Sequence, residues 1–307
     1  MGACVSSPAV VFVLGASGMV GSETVKKMLS HPSKSNLDVV AGVRDPAKVE
    51  GKFPGARVVA ATMGSPELAG VLKDENAGIL VVITPGSEDR AEVVTRTVAS
   101  AKESGVVKHV VVVSVTTAET GDGIFGKQFV KLETNVKAEG IPYTFIRFPL
   151  FMENYLGQIG AVQNAKSVYL PLAEDAKFSE LAVSDAADCL TAVAFKPGKH
   201  SSKTYTVSNE PHNVKDVVAA LSIAVGETVS FVQATDEQCK ESLLGVGLPG
   251  WQADGIVELY AMCNAGNYTY PNGPETVKNL SGHMPMTVAE WVDKKKGAFA
   301  TIPVATA

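Results

Sequence analysis

Cysteine is scarce: four among 307 residues, at positions 4, 189, 239 and 263, with no Cys-x-x-Cys pair. That excludes a disulfide scaffold and a zinc cluster of the usual spacing, leaves no metal site to propose, and makes a reducing compartment the default. Charge is thin as well. Only 19% of residues are Asp, Glu, Lys or Arg and the net charge is −5, so the basic footprint of a nucleic-acid binder is missing. Long hydrophobic runs are absent too: the longest, such as 78–84, are strand-sized and far below the roughly 18 residues that a membrane span needs. No repeat or low-complexity tract appears. What is abundant is apolar residue, 46% of the chain, enough to bury a large core. The expectation is a cytoplasmic globular protein, of one large or two modest domains at roughly 100–200 residues each.

Short β-branched runs recur at 9–14, 37–42, 57–60, 79–84, 110–114 and 144–148, with helical segments at 18–29, 65–72, 87–104 and 125–139 between them. Near-continuous apolar strands of this kind belong in a parallel sheet covered on both faces. Strand–helix–strand alternation predicts an α/β, Rossmann-type, doubly wound parallel sheet. After Pro149 the rhythm changes, and the last third reads as mainly helical. The predicted organisation is a tail at 1–8, a dinucleotide-binding domain at 9–150, a smaller α/β substrate or partner lobe at 151–300 with some strands returning to the main sheet, and a tail at 301–307.

The first strand runs straight into Gly15-Ala16-Ser17-Gly18-Met19-Val20-Gly21, which opens the first helix. Gly15 permits the tight turn, Gly18 lets a pyrophosphate approach the backbone, and Gly21 lets helix and sheet pack closely. The strand before and helix after supply the context that a bare glycine pattern lacks. The second strand ends Val40-Ala41-Gly42-Val43-Arg44-Asp45-Pro46, without the acid at its tip that binds a ribose in NAD sites. Arg44 just beyond suits the 2′-phosphate of NADP(H), which is therefore favoured over NAD(H). Thr84, Pro85 and Gly86 follow the fourth strand on the same carboxyl edge and complete the expected cofactor contacts.

These residues resemble the NmrA-like branch of the atypical short-chain dehydrogenase/reductases. The resemblance rests on the three-glycine loop, Val43-Arg44-Asp45-Pro46, the strand and loop at 81–86, Lys108-His109-Val110-Val111, and Ile146-Arg147-Phe148-Pro149-Leu150-Phe151-Met152-Glu153-Asn154. It extends through 183–188 and Gly282-His283-Met284-Pro285 to Glu290-Trp291, covering roughly residues 9–297. It implies a Rossmann sheet with a small substrate lobe, with Met152, Glu153, Asn154 and Tyr155 near the nicotinamide. Members of that family are quinone- or azo-reducing enzymes, or dinucleotide sensors that bind regulatory proteins.

One departure narrows the chemistry. Short-chain dehydrogenases carry Tyr-x-x-x-Lys on the helix after the fifth strand, where the lysine readies the tyrosine to pass a proton. Counting back from Glu133 places Phe129 and Phe125 there, and no tyrosine of the chain has a lysine four residues on. Two expectations remain. One is hydride transfer from NADPH to a small quinone-like or otherwise electron-poor acceptor without a protein acid, in a pocket that Phe125, Phe129 and Phe151 could line. The other is a non-catalytic NADP(H) redox sensor acting through a regulatory protein. Separately, Met1-Gly2-Ala3-Cys4-Val5-Ser6 fits the N-myristoylation pattern, with Gly2 as acceptor and Cys4 available for palmitoylation. Membrane association is expected only if that acylation occurs.

Overall fold

The computed structural model describes residues 9–300, which divide into two compact units. The first holds the chain up to Phe148 together with Val183–Thr206 and Asn279–Gly282; the second holds Pro149–Ala182, Val207–Lys278 and the chain from His283.

The first unit begins β1 (Ala9–Leu14), α1 (Met19–Ser30), β2 (Leu37–Val43), β3 (Arg57–Ala60), α2 (Leu68–Asp74), β4 (Ala77–Val82) and α3 (Arg90–Ser104). It continues through β5 (His109–Val115), α4 (Gly123–Ala138) and β6 (Tyr143–Phe148). In the second unit come β7 (Leu150–Phe151), a 3₁₀ turn at Met152–Gln158, α5 (Ile159–Ala165), β8 (Ser167–Leu170) and β9 (Glu180–Leu181). The chain then re-enters the first unit for α6 (Val183–Phe195) and β10 (Lys203–Thr206). The remainder is α7 (Val214–Val225), β11 (Ser230–Gln233), α8 (Asp236–Gly245), α9 (Gly250–Asn264), α10 (Gly273–Ser281) and α11 (Val288–Phe299).

Seven strands form one sheet in the order β10-β6-β5-β4-β1-β2-β3, and every recorded pairing in it is parallel. The strands are buried because helices cover both faces: Val11, Phe12 and Val13 of β1, and Val110, Val111 and Val112 of β5, have no exposed surface. That is why their sequences read as continuous apolar runs rather than alternating ones. This is the doubly wound α/β fold that the strand–helix alternation predicts. β4 starts at Ala77 and ends at Val82, whereas the apolar run ends at Thr84. Ile83 still donates its N–H to the Leu14 carbonyl at 3.1 Å, but Pro85 has no N–H to continue the ladder.

The second unit carries two small parallel pairs, β11–β8 and β7–β9. Its helix α8 buries no residue, so it lacks the apolar periodicity that reveals a helix, and the sequence reading has no counterpart to it. α8 is instead announced by a capping box, Thr235 with Gln238. Among the described residues, no helix is long and apolar enough to cross a membrane. Gly2 and Cys4 lie outside the described residues.

Candidate functional site

β1 and β4 are neighbours, yet their connections leave to opposite sides of the sheet, which makes their carboxyl ends a topological switch point where α/β folds bind ligands. A cavity of about 560 Å³ opens there, in the first unit. Its walls come from the loop after β1 (Gly15, Ser17, Gly18), the tip of β2 (Gly42–Arg44), the loop after β3 (Ala61–Met63) and the loop after β4 (Ile83–Ser87).

The glycine loop is shaped by two different pressures. Gly15 has φ +87°, a left-handed conformation that favours glycine, and a Cβ on Gly21 would lie 2.3 Å from the Gly15 carbonyl oxygen. Both therefore need glycine for the fold itself. Gly18 does not: a Cβ there would meet only the Gly15 oxygen, at an ordinary 3.6 Å. Its bare backbone instead faces the cavity it lines. Gly18 is also the N-cap of α1, which has no side-chain cap and no acid in its first turn. An uncapped helix start beside a cradle that a Cβ would fill fits a pyrophosphate, whose oxygens would accept from the first amides and meet the positive end of the helix dipole. Of the other loop residues, Ser17 lines the cavity, Ala16 and Val20 are buried in the core, and the Met19 side chain is exposed.

Arg44 lines the same cavity, is exposed, and among the described residues has no carboxylate partner. The acid beside it is committed elsewhere: Asp45 accepts from the Ala47 N–H at 3.1 Å and lies 3.7 Å from Lys48. Lys52, which no sequence pattern singles out, donates to the Ser17 carbonyl at 3.3 Å and brings a second cation to the glycine loop. The contact spans 35 residues and comes from a turn after a short 3₁₀ helix, so spacing carries no trace of it. Thr84, Pro85 and Gly86 also line the cavity, with the Thr84 hydroxyl donating to the Val113 carbonyl at 2.6 Å. Met63, Ser87 and Val93 complete the wall; ordinary loop and helix residues, they give no signal in sequence.

Phe125 and Phe129 share one face of α4 with Glu133. The Arg90 guanidinium sits over both rings, 5.3 Å from Phe125 and 5.2 Å from Phe129, and burial pushes its pKa down to about 10. Glu133 is 3% exposed, accepts from Arg147 Nε and Nη2 at 2.8 Å each, and accepts from the Ser114 hydroxyl at 2.7 Å. This face of α4 thus joins α3, β5 and β6 through one buried polar network. Neither phenylalanine borders the cavity.

The residues expected near the nicotinamide lie in the second unit. Met152 is fully buried, and Glu153 accepts from Trp291 Nε1 at 3.1 Å. Asn154 and Tyr155 line another cavity, of about 850 Å³, that belongs to the second unit alone. Phe151 is half-buried and does not border it.

A model of the NmrA-like family matches residues 8–296. NAD(P)H azoreductase of Xenophilus azovorans is 30% identical over 297 residues, 94% of this chain and 99% of its own. The NADPH-dependent quinone oxidoreductase of Escherichia coli, solved with NADPH, is similar at TM-score 0.77 and 24% identity, over 93% of this chain and 99% of that one. NmrA, a negative transcriptional regulator solved with NADP, is similar at TM-score 0.72 and 15% identity, over 94% and 95%. The two solved structures speak to the fold. The family model spans nearly the whole chain, the azoreductase is similar from end to end, and the chain belongs to the NmrA-like family.

Proposed function

We propose that the protein is an NADP(H)-dependent reductase that passes hydride to an electron-poor aromatic acceptor of the quinone or azo class. The observation that carries this reading is the cavity of the first unit, where the open face of Gly18, the uncapped start of α1 and the unpaired Arg44 meet. In this reading Gly15, Ser17, Gly18 and the α1 amides hold the pyrophosphate, and Arg44, assisted by Lys52, takes the 2′-phosphate. Thr84, Pro85 and Gly86 hold the ribose beyond it. NADPH supplies a hydride and leaves as NADP⁺, and the remaining proton for the acceptor comes from water. The similarity to an azoreductase and a quinone oxidoreductase supports this chemistry. A quinone takes hydride without prior protonation, so phenylalanine at the tyrosine and lysine positions is compatible with it.

The similarity to NmrA favours a second reading, a dinucleotide-responsive regulator built on the same cavity. Turnover decides between them. The test is titration with NADPH and NADH, followed by NADPH oxidation over a panel of quinones and azo dyes. Binding of NADPH with steady oxidation in the presence of a quinone is expected; tight binding with no acceptor reduced overturns the reductase. Arg44→Ala should weaken NADPH about tenfold, the loss of one charge-assisted contact at an exposed site, and leave NADH unchanged. Equal losses for the two dinucleotides would remove Arg44 from the phosphate site.

A further inference from the structure

We infer that Arg90, Phe125 and Phe129 are positioning residues for the dinucleotide cavity: they clamp the β4–α3 loop onto α4 and so set the part of the cavity wall that residues 84–87 provide. The inference deepens the reductase reading and rests on it only for what the clamp does to dinucleotide binding.

Arg90 stands where local helix physics disfavours it. It is the first residue of α3, at the positive end of the helix dipole, and it is 6% exposed. Burial lowers its pKa, but only to about 10, so the side chain stays charged near neutral pH. Both effects oppose a cation here, and what offsets them comes from α4. The guanidinium lies over the Phe125 and Phe129 rings, 5.3 and 5.2 Å from their centroids, and ring faces attract a cation held out of water. The same side chain turns back to the loop, where Nε donates to the Ser87 carbonyl at 3.0 Å. Ser87 belongs to the cavity wall. One arginine thus ties that wall to the helix where dehydrogenases carry their tyrosine and lysine.

α4 reaches the loop a second time, through Gln128 Nε2, which donates to the Glu88 carbonyl at 3.4 Å. The loop supplies little anchorage of its own: Gly86, Glu88 and Asp89 are exposed, and Asp89, the N-cap of α3, makes no side-chain cap hydrogen bond. α4 is a fixed mount by contrast. A Cβ on Gly126 would lie 2.8 Å from the Thr117 carbonyl oxygen, so the helix backbone sits directly on the turn after β5. The clamp acts on one side of the cavity only. The glycine loop follows β1 and Arg44 follows β2, and neither touches α4 through Arg90. Loosening the clamp should therefore weaken a ligand that reaches residues 84–87 and spare one that ends at the adenosine phosphates.

The test compares NADPH with adenosine 2′,5′-bisphosphate, by calorimetry on the full chain. Arg90→Met deletes the guanidinium and should leave the protein folded, since an unbranched apolar chain replaces a buried charge. It should weaken NADPH about five- to tenfold and the bisphosphate less than about twofold. Phe125→Leu, at a half-buried position, removes one ring and should weaken NADPH about two- to fivefold, again sparing the bisphosphate, whereas Phe125→Tyr keeps the ring face and should bind both as the parent does. A merely structural role for Arg90 would weaken the two ligands by the same factor, and that result overturns the inference. NADPH binding unchanged in both Arg90→Met and Phe125→Leu also overturns it. A further measurement needs no ligand. Amide hydrogen exchange at residues 86–89 should speed up in Arg90→Met and Phe125→Leu and stay parent-like in Phe125→Tyr; unchanged protection in the first two overturns the clamp. The two readings fail differently. Faster exchange in a protein that binds no NADPH keeps the clamp and removes the dinucleotide reading; tight NADPH binding with equal losses for both ligands keeps that reading and removes the clamp.

Discussion

At the residue scale, Gly18 and Gly21 are the same amino acid under different constraints, and substitution separates them. A Cβ at Gly21 meets the Gly15 oxygen at 2.3 Å and the Ala16 Cα at 2.9 Å, both backbone atoms that cannot rotate away. Gly21→Ala should therefore displace α1 and cost about 3 kcal/mol, read as a lowered urea midpoint. At Gly18 the backbone (φ −73°, ψ 170°) suits any residue and the nearest atom is 3.6 Å away. Gly18→Ala should keep stability within about 1 kcal/mol and weaken NADPH at least about tenfold, since the methyl enters the cradle. If both variants melt early and bind alike, the cradle argument fails. A second residue speaks through pH. His109 is buried with Nε2 2.8 Å from the Thr144 hydroxyl, and burial, with a smaller contribution from His200, lowers its pKa from 6.5 to about 4. The folded ring stays neutral where the unfolded ring takes a proton. His109 thus contributes stability above pH 6.5 that is lost as the pH falls towards 4. The urea midpoint of the parent should fall more steeply between those values than that of His109→Gln, and parallel profiles would reject the assignment. The three glycines and Arg44 were legible in sequence because their spacing follows from one turn. Lys52 and Arg90 were not, because each reaches its place through tertiary folding.

At the scale of the element, α4 shows what takes the place of a tyrosine–lysine pair. The four-residue spacing that would line up Tyr and Lys lines up Phe125, Phe129 and Glu133, and all three are occupied by partners from neighbouring elements. Arg90 covers the two rings, while Ser114 and Arg147 hold the carboxylate. Restoring the missing pair as Phe125→Tyr with Phe129→Lys should therefore fail. Position 129 is 3% exposed, and a lysine there would bury an ammonium against the Arg90 guanidinium. The double variant should lose roughly 3 kcal/mol or more of stability and gain no ketone reduction. A stable variant that reduces ketones would show that the α4 face is free for chemistry. Elements were legible where burial is one-sided or complete. The apolar runs marked β1 to β6, whose strands form most of the main sheet. β9 is a two-residue strand with no pattern to detect, and α8 presents no buried residue at all.

At the scale of the whole molecule, the change of rhythm after Pro149 suggests cutting the chain near residue 150, and the structure says what such a cut would remove. The first unit is discontinuous. α6 packs on α1, and its Val183, Ala186, Ala187, Leu190, Val193 and Ala194 are all essentially buried; β10 pairs with β6 at the edge of the sheet. The sequence does not show which unit α6 and β10 serve, because a buried helix and an edge strand look the same on either. Val183, Leu190 and Val193 alone contribute roughly 5–9 kcal/mol of burial, a sum comparable with the roughly 5–15 kcal/mol that holds a whole domain folded. A fragment of residues 1–150 would also leave bare the α1 face that α6 covers. It should therefore show no cooperative unfolding transition and no NADPH binding, although it contains every residue assigned here to the dinucleotide cavity. The measurement is urea unfolding by circular dichroism, with NADPH calorimetry on fragment and full chain side by side. A fragment that melts cooperatively and binds NADPH as the full chain does would mean that the cofactor cavity depends on its loops and strands alone, with α6 and β10 dispensable.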